Sequence, residues 1–303
     1  MLIQWFPGHM HKASKEIKAA LGHADIMIQI LDARIPFSSQ NPLLEKLRGD
    51  KPCIKVLNKC DLADEQRTQR WQTYFEQFPQ VKTLVVNMTQ LEKIRQLPAF
   101  CHTLVPREDV RTRPLQALIT GIPNVGKSTL INILAKRTVA KTGNEPAITK
   151  QQQRIDLGEG LVLFDTPGVL WGNIENKNSG FRLAATGAIK DTALNHEEVA
   201  LFLTEFVLSH YPALLKTRFH IETLPQTAAD VLSMIGKKRG CLRAGGHIEY
   251  DKVAKIVLAE LRSGSLGKMT LELPEMIDFE LDELEKIRAE KAAKKQARRE
   301  RHG

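Results

Sequence analysis

The chain has 303 residues, 42% apolar and 26% charged, which suits two modest domains with buried cores and excludes a wholly disordered, collagenous or disulfide-scaffold protein. Lys and Arg number 44 against 35 Asp and Glu; this excess of +9 favours an anionic partner, although a basic soluble protein without one has the same composition. Cys53, Cys60, Cys101 and Cys241 show no zinc-finger or disulfide-framework spacing, so reduced thiols and no zinc are expected. Residues 1–12 lack the basic-then-apolar pattern of a signal peptide, and no apolar run approaches a membrane span. A cytoplasmic chain with no membrane partner is expected.

In chain order, residues 10–21 are expected to form a helix, and the apolar run 24–31, ending at Asp32, a buried strand. Residues 53–57, opened by Pro52, give a second strand, 83–86 a third and 115–120 a fourth. Residues 154–157 and 161–164 flank Gly158 and Gly160, a hairpin signal. Apolar strands alternating with helices imply a parallel sheet covered on both faces, an α/β domain over residues 1–191. From Leu194 the period changes to 3.6: Val199, Phe202, Leu203, Phe206 and Val207 share a helical face, Asn195 and Glu198 read as a capping box, and Pro212 closes the helix. Val253, Ile256, Val257 and Leu261 line another helix, ended by Gly264. Residues 192–275 are therefore read as a small all-helical domain and 276–303 as a basic tail, helical or disordered. From Lys286 onward eight Lys and Arg face only Glu290 and Glu300.

The most specific motif is Gly121-Ile122-Pro123-Asn124-Val125-Gly126-Lys127-Ser128, between the fourth strand and a helix expected over 128–135. Its glycines allow a tight turn whose N–H groups, with those of the helix start through Thr129, converge on phosphates. Lys127 adds charge at the β and γ phosphates, and the Ser128 hydroxyl suits Mg²⁺. Asp165-Thr166-Pro167-Gly168 follows the strand 161–164; the carboxylate can hold the Mg²⁺ shell, through water, and the Gly168 N–H can sense a γ-phosphate.

Asn58-Lys59-Cys60-Asp61 also follows an apolar strand and fits the Asn-Lys-X-Asp guanine motif. An Asp61 carboxylate accepts from guanine N1–H and the exocyclic amine, donors that adenine does not offer there. A polar loop after a strand is the plain alternative. This motif stands about sixty residues before the phosphate loop, whereas ordinary GTPases place it after. Reading the chain cyclically from Leu115 restores the usual order, as a circular permutation would.

With Trp5-Phe6-Pro7-Gly8-His9-Met10 at the start and Lys238-Arg239-Gly240-Cys241 with Gly245-Gly246 near the end, the chain resembles the circularly permuted GTPases, in particular the YlqF family of ribosome assembly. The resemblance implies a permuted P-loop GTPase domain with an all-helical C-terminal domain, and GTP hydrolysis coupled to late maturation of the large (50S) ribosomal subunit. It assigns Thr149 as a switch residue that ligates Mg²⁺ and contacts the γ-phosphate. Val169 occupies the place where many GTPases carry a water-orienting Gln, and the family's N-terminal motif makes His9 the catalytic candidate in its stead. Asn124 matches the Asn of potassium-activated GTPases and is a candidate K⁺ ligand; a turn-forming Asn is the alternative. Asn87 and Met88 stand at the fifth GTPase motif, where the base is read mainly through backbone N–H groups. Lys237, Lys238, Arg239 and Arg243 form a candidate RNA-binding patch, with a solvated charged face as the alternative. The partners implied are GTP or GDP and the large-subunit precursor with its rRNA. Three other readings stay open: a P-loop kinase or ATPase, an RNA-binding scaffold with vestigial hydrolysis, and a permuted GTPase of the small subunit.

Overall fold

The computed structural model describes residues 17–109, 112–140, 153–168, 170–172 and 174–302. Residues 17–23 are helical (α1). Six strands follow: β1 (Ile26–Asp32), β2 (Cys53–Asn58), β3 (Val81–Val85), β4 (Leu115–Gly121), β5 (Gln153–Asp156) and β6 (Leu161–Asp165). They form one sheet in the order β3-β2-β1-β4-β6-β5. All neighbouring pairs are parallel except β5 with β6, the expected hairpin. β1 and β2 are buried at every residue, as a sheet covered on both faces requires.

The chain runs outward from β1 to β2 and β3, then returns to place β4 on the other side of β1. Such a reversal opens a crevice at the carboxyl ends of the strands, where α/β sheets bind ligands. Here it lies between β1 and β4. Along the first half run α2 (Pro42–Arg48), α3 (Glu65–Glu76), α4 (Leu91–Ile94) and α5 (Leu97–Leu104). On α3, Trp71 and Phe75 are buried against the sheet with ring centroids 5.3 Å apart, and the Trp71 indole donates to Glu272 O at 3.1 Å. α6 (Lys127–Leu134) follows β4, and α7 (Lys177–Ala185) follows β6.

The helical region comprises α8 (His196–His210), α9 (Pro212–Phe219), α10 (Ala228–Lys238) and α11 (Tyr250–Ser263). Asn195 caps α8, its side chain accepting from the amides of Glu197 and Glu198. Pro212 ends α8 and also opens α9 at a 110° bend, since its fixed φ and missing N–H suit a first helical position. Gly264 ends α11 in the left-handed conformation, as expected. The next segment then turns back to the sheet: Met269 N donates to Leu62 O at 3.1 Å and Leu271 N to Arg34 O at 2.7 Å.

α12 (Pro274–His302) runs unbroken through residue 276, the expected start of the tail. After Pro274 no Gly or Pro interrupts it up to His302. Its first half is fastened by Glu280, which accepts two hydrogen bonds from Arg182 of α7, at 2.7 and 2.9 Å. Among the described residues no single helix is long and apolar enough to cross a membrane.

Candidate functional site

The phosphate loop leaves β4 at the crevice. Gly121 closes the strand, and the loop delivers the chain to α6 through Gly126, whose φ of 98° is left-handed. A side chain at Gly126 is excluded twice: by that φ, and because a Cβ there would lie 2.4 Å from Asn58 Nδ2. Asn58 is the first residue of the guanine motif. Its Nδ2 donates to Val125 O within the phosphate loop at 2.7 Å. The Met88 methyl would lie 3.4 Å from the same Cβ, so the fifth motif abuts the loop as well. Three segments far apart in sequence thus meet at one point.

At the other end of the loop, Lys127 Nζ is hydrogen bonded to Asp165 Oδ1, and both side chains are buried. Burial pushes the Asp165 carboxyl above its ordinary range and the Lys127 ammonium below its own, each opposed by the partner's charge. Gly168 rests on the loop; a Cβ on it would lie 3.4 Å from Pro123 N and Cα. Thr166 Oγ1 donates to Ile119 O at 2.9 Å and fixes the Asp165–Gly168 turn to β4. Ser128 and Thr129 stand in the first turn of α6.

The guanine turn is built on β2. Lys59 takes φ 61°, and the turn is held by Cys60 N to Val86 O at 3.3 Å and Leu62 N to Lys59 O at 3.0 Å. Asp61 lies in this turn. Asn87 spends its side chain locally, its Oδ1 accepting from Thr89 N at 2.9 Å and Thr89 Oγ1 at 2.6 Å. The Asn87 backbone is engaged as well, its N–H donating to Gln90 Oε1 at 3.2 Å and its carbonyl accepting from Gln90 N at 3.1 Å.

Asn124 is left-handed, at φ 59°, and its Nδ2 donates to Gly187 O at 2.8 Å, just beyond α7. Beside it lies a cleft of about 710 Å³ walled by Lys59 and Leu62, by Asn124, and by Gly187, Lys190 and Arg262. Arg262 of α11 donates to the carbonyls of Ala184 and Ala185 and pairs with Asp191 at 2.9 Å.

Residues 116–234 match the family model described as 50S ribosome-binding GTPase. Over 294 residues the chain is 44% identical to ribosome biogenesis GTPase A of Bacillus cereus, an alignment spanning 95% of this chain and 99% of that one. The chain belongs to the ribosome biogenesis GTPase A family. It is a GTPase, with the permuted motif order of that family. It is also 34% identical over 294 residues to mouse mitochondrial ribosome-associated GTPase 1, covering 89% of this chain and 90% of the relative. A solved structure, GNP-bound YlqF from T. maritima, shares the fold with a TM-score of 0.60 at 24% identity, covering 87% of this chain and 99% of that one.

GTPases of this kind use Mg²⁺. The donor set fits a hard cation: Asp165 Oδ2 is buried with no hydrogen-bond partner among the described residues, and the Ser128 hydroxyl stands in the adjoining helical turn. Mg²⁺ bound there would neutralise phosphate charge. His9, Thr149 and Val169 lie outside the described residues. Lys237, Lys238, Arg239 and Arg243 are all exposed, but Arg239 pairs with Glu260 at 2.9 Å and Lys238 bonds His220 O at 2.7 Å.

Two further buried side chains border the site: Asp32, which the sequence marks only as the end of a strand, and Arg34, which carries no sequence signal of its own. Burial alone would raise the Asp32 carboxyl, yet the charges of Arg34 and Lys59 hold it well below the usual carboxylate range.

Proposed function

We propose that the crevice holds one guanine nucleotide at both ends, and that its state gates association with the precursor of the large ribosomal subunit in the cytoplasm. The contact that carries this is Asn58 Nδ2 to Val125 O at 2.7 Å, which joins the base-reading turn to the phosphate loop despite their inverted order in the chain. Asp61 reads guanine, the Lys59 stem covers the ring, and the backbone at Asn87 and Met88 closes its edge. Gly121 and the amides of Asn124 to Thr129 cradle the phosphates, with Lys127 as the countercharge. Ser128, Asp165 through water, and Thr149 complete the Mg²⁺ shell, and Gly168 senses the γ-phosphate. Since Val169 cannot orient water, His9 takes that part. Asn124, whose amide nitrogen donates to Gly187 O, is the candidate K⁺ ligand through its amide oxygen.

Residues 1–191 then form the nucleotide domain and 192–275 an rRNA-binding domain, with the patch made of Lys237, Lys238, Arg239 and Arg243, the last 3.9 Å from Glu249. The names of the relatives, which include ribosome biogenesis and 50S ribosome-binding, support this partner. Gating has a physical route: Asn124 reaches Gly187 O beside Arg262, and Arg34 Nη1 lies 3.4 Å from Leu261 O, so both ends of the site meet the last turn of α11.

Co-sedimentation with purified large and small ribosomal subunits tests the proposal. More protein should travel with large subunits in a non-hydrolysable GTP analogue than in GDP. Equal binding in both states would refute gating, and preference for small subunits would favour the other particle.

A further inference from the structure

We infer that Asp32 and Arg34 are a positioning pair for guanine recognition: the Asp32 carboxylate holds the Lys59 stem in place over the base, and Arg34 locks Asp32 while joining it to α11. The inference rests on the guanine-site reading above. Three observations carry it. First, strand register sets Asp32 opposite Asn58 at the ends of β1 and β2, with Ala33 N donating to Asn58 O at 2.8 Å. The carboxylate therefore sits beside the residue that precedes Lys59.

Second, its acceptor capacity is filled by four donors. Oδ1 takes Arg34 Nε at 2.9 Å and Arg34 N at 3.1 Å; Oδ2 takes Arg34 Nη2 at 2.7 Å and Lys59 Nζ at 3.0 Å. The Asp32 and Arg34 side chains are 3% and 1% exposed, so the geometry is rigid and dry. An Arg fork bound two-pronged to a carboxylate fixes orientation as well as charge. Arg34 is itself held from the far side, its carbonyl accepting from Leu271 N at 2.7 Å.

Third, Lys59 needs such an anchor. It occupies the sparsely populated left-handed region, at φ 61°. A lysine stem is flexible, and an unanchored one would sample many rotamers before it could lie flat on a purine. The ion contact at 3.0 Å preselects one path for the chain of methylenes, so the ring meets a surface already formed. Asp32 touches no nucleotide in this scheme; it acts through Lys59.

A double-mutant cycle in GDP affinity, read by calorimetry, tests this with wild type, Asp32→Asn, Lys59→Met and the double variant. Asp32→Asn should weaken GDP about tenfold, and Lys59→Met by at least as much; the double variant should bind within about twofold of Lys59→Met alone. In GTP turnover the loss should fall in KM rather than kcat, and discrimination between GDP and IDP, which depends on Asp61, should stay as in the wild type. An equal Asp32→Asn penalty in both Lys59 backgrounds, or no penalty at all, overturns the inference. A Lys59→Met variant that binds GDP like the wild type overturns the guanine-site reading instead. Should Asp32→Asn fail to fold, Asp32→Glu carries the same cycle. It keeps the charge but displaces the anchor, and the same dependence on Lys59 is expected.

Discussion

The guanine end and the phosphate end of the site are tied to the helical region by different chemistry. At the guanine end a buried ionic cluster, Lys59–Asp32–Arg34, stands against Leu261 O. At the phosphate end a neutral hydrogen bond, Asn124 Nδ2 to Gly187 O at 2.8 Å, reaches the segment after α7 that lies against Arg262 of α11. Removing one partner of a buried ion pair costs about 3–5 kcal/mol, whereas a neutral hydrogen bond has a net worth of about 0.5–1.5 kcal/mol. The first is a fixed joint. The second can exchange partners at little cost, which suits the end where a γ-phosphate comes and goes. On the proposed reading, the base end holds register and the phosphate end reports change.

Substitutions that sever each tie should separate these roles. Arg34→Ala strips the fork from Asp32 and should lower unfolding free energy by about 3–5 kcal/mol, read from urea denaturation without nucleotide. A loss under about 1 kcal/mol would mean that the cluster is not a structural joint. Asp61→Asn should weaken GTP about a hundredfold, leave stability near wild type, and gain affinity for xanthosine nucleotides, whose 2-oxo group can accept from the new amide. Calorimetry with GTP and XTP measures both.

Asn124→Ala should change nucleotide affinity only a few-fold, about 1 kcal/mol. Its larger signature is hydrogen exchange at residues 184–192, which should lose its difference between GTP-analogue and GDP states. If that difference persists, the tie does not report the phosphate. The same variant, assayed in K⁺ and in Na⁺, tests the cation proposal, since a wild type indifferent to the exchange removes it.

The smallest expected effect concerns thiols. Cys53 and Cys101 are buried, with their thiols pushed up to about 11 and about 12, while Cys60, in the guanine turn, is only partly buried. Near pH 8 a thiol reagent should modify Cys60 first in the native protein, and GDP should slow that reaction. Equal labelling of Cys53 would show that the sheet opens more readily than its burial implies.

Local features of this molecule were legible in its sequence, and distant pairings were not. The phosphate loop could be read because all its parts are contiguous between a strand and a helix. The Asn-Lys-X-Asp turn stands out despite its inverted place because its spacing is local. Asp32 and Arg34 act through strand register, which sets Asp32 against Asn58, and no local pattern encodes that. The return of Met269 and Leu271 to Leu62 and Arg34 is likewise non-local. Pro212 is both a stop and a start, because the same missing N–H suits both. The beginning of α12 at Pro274 is not legible from charge, which marks the tail but does not break a helix.

The most direct test of a single nucleotide gripped from both halves of the chain is a structure of the protein with a non-hydrolysable GTP analogue and Mg²⁺. The guanine amine should lie on the Asp61 carboxylate while the β and γ phosphates of the same molecule lie on Lys127 and the amides of the phosphate loop. A base turned away from Asp61, with the phosphates still seated at Lys127, would contradict the account.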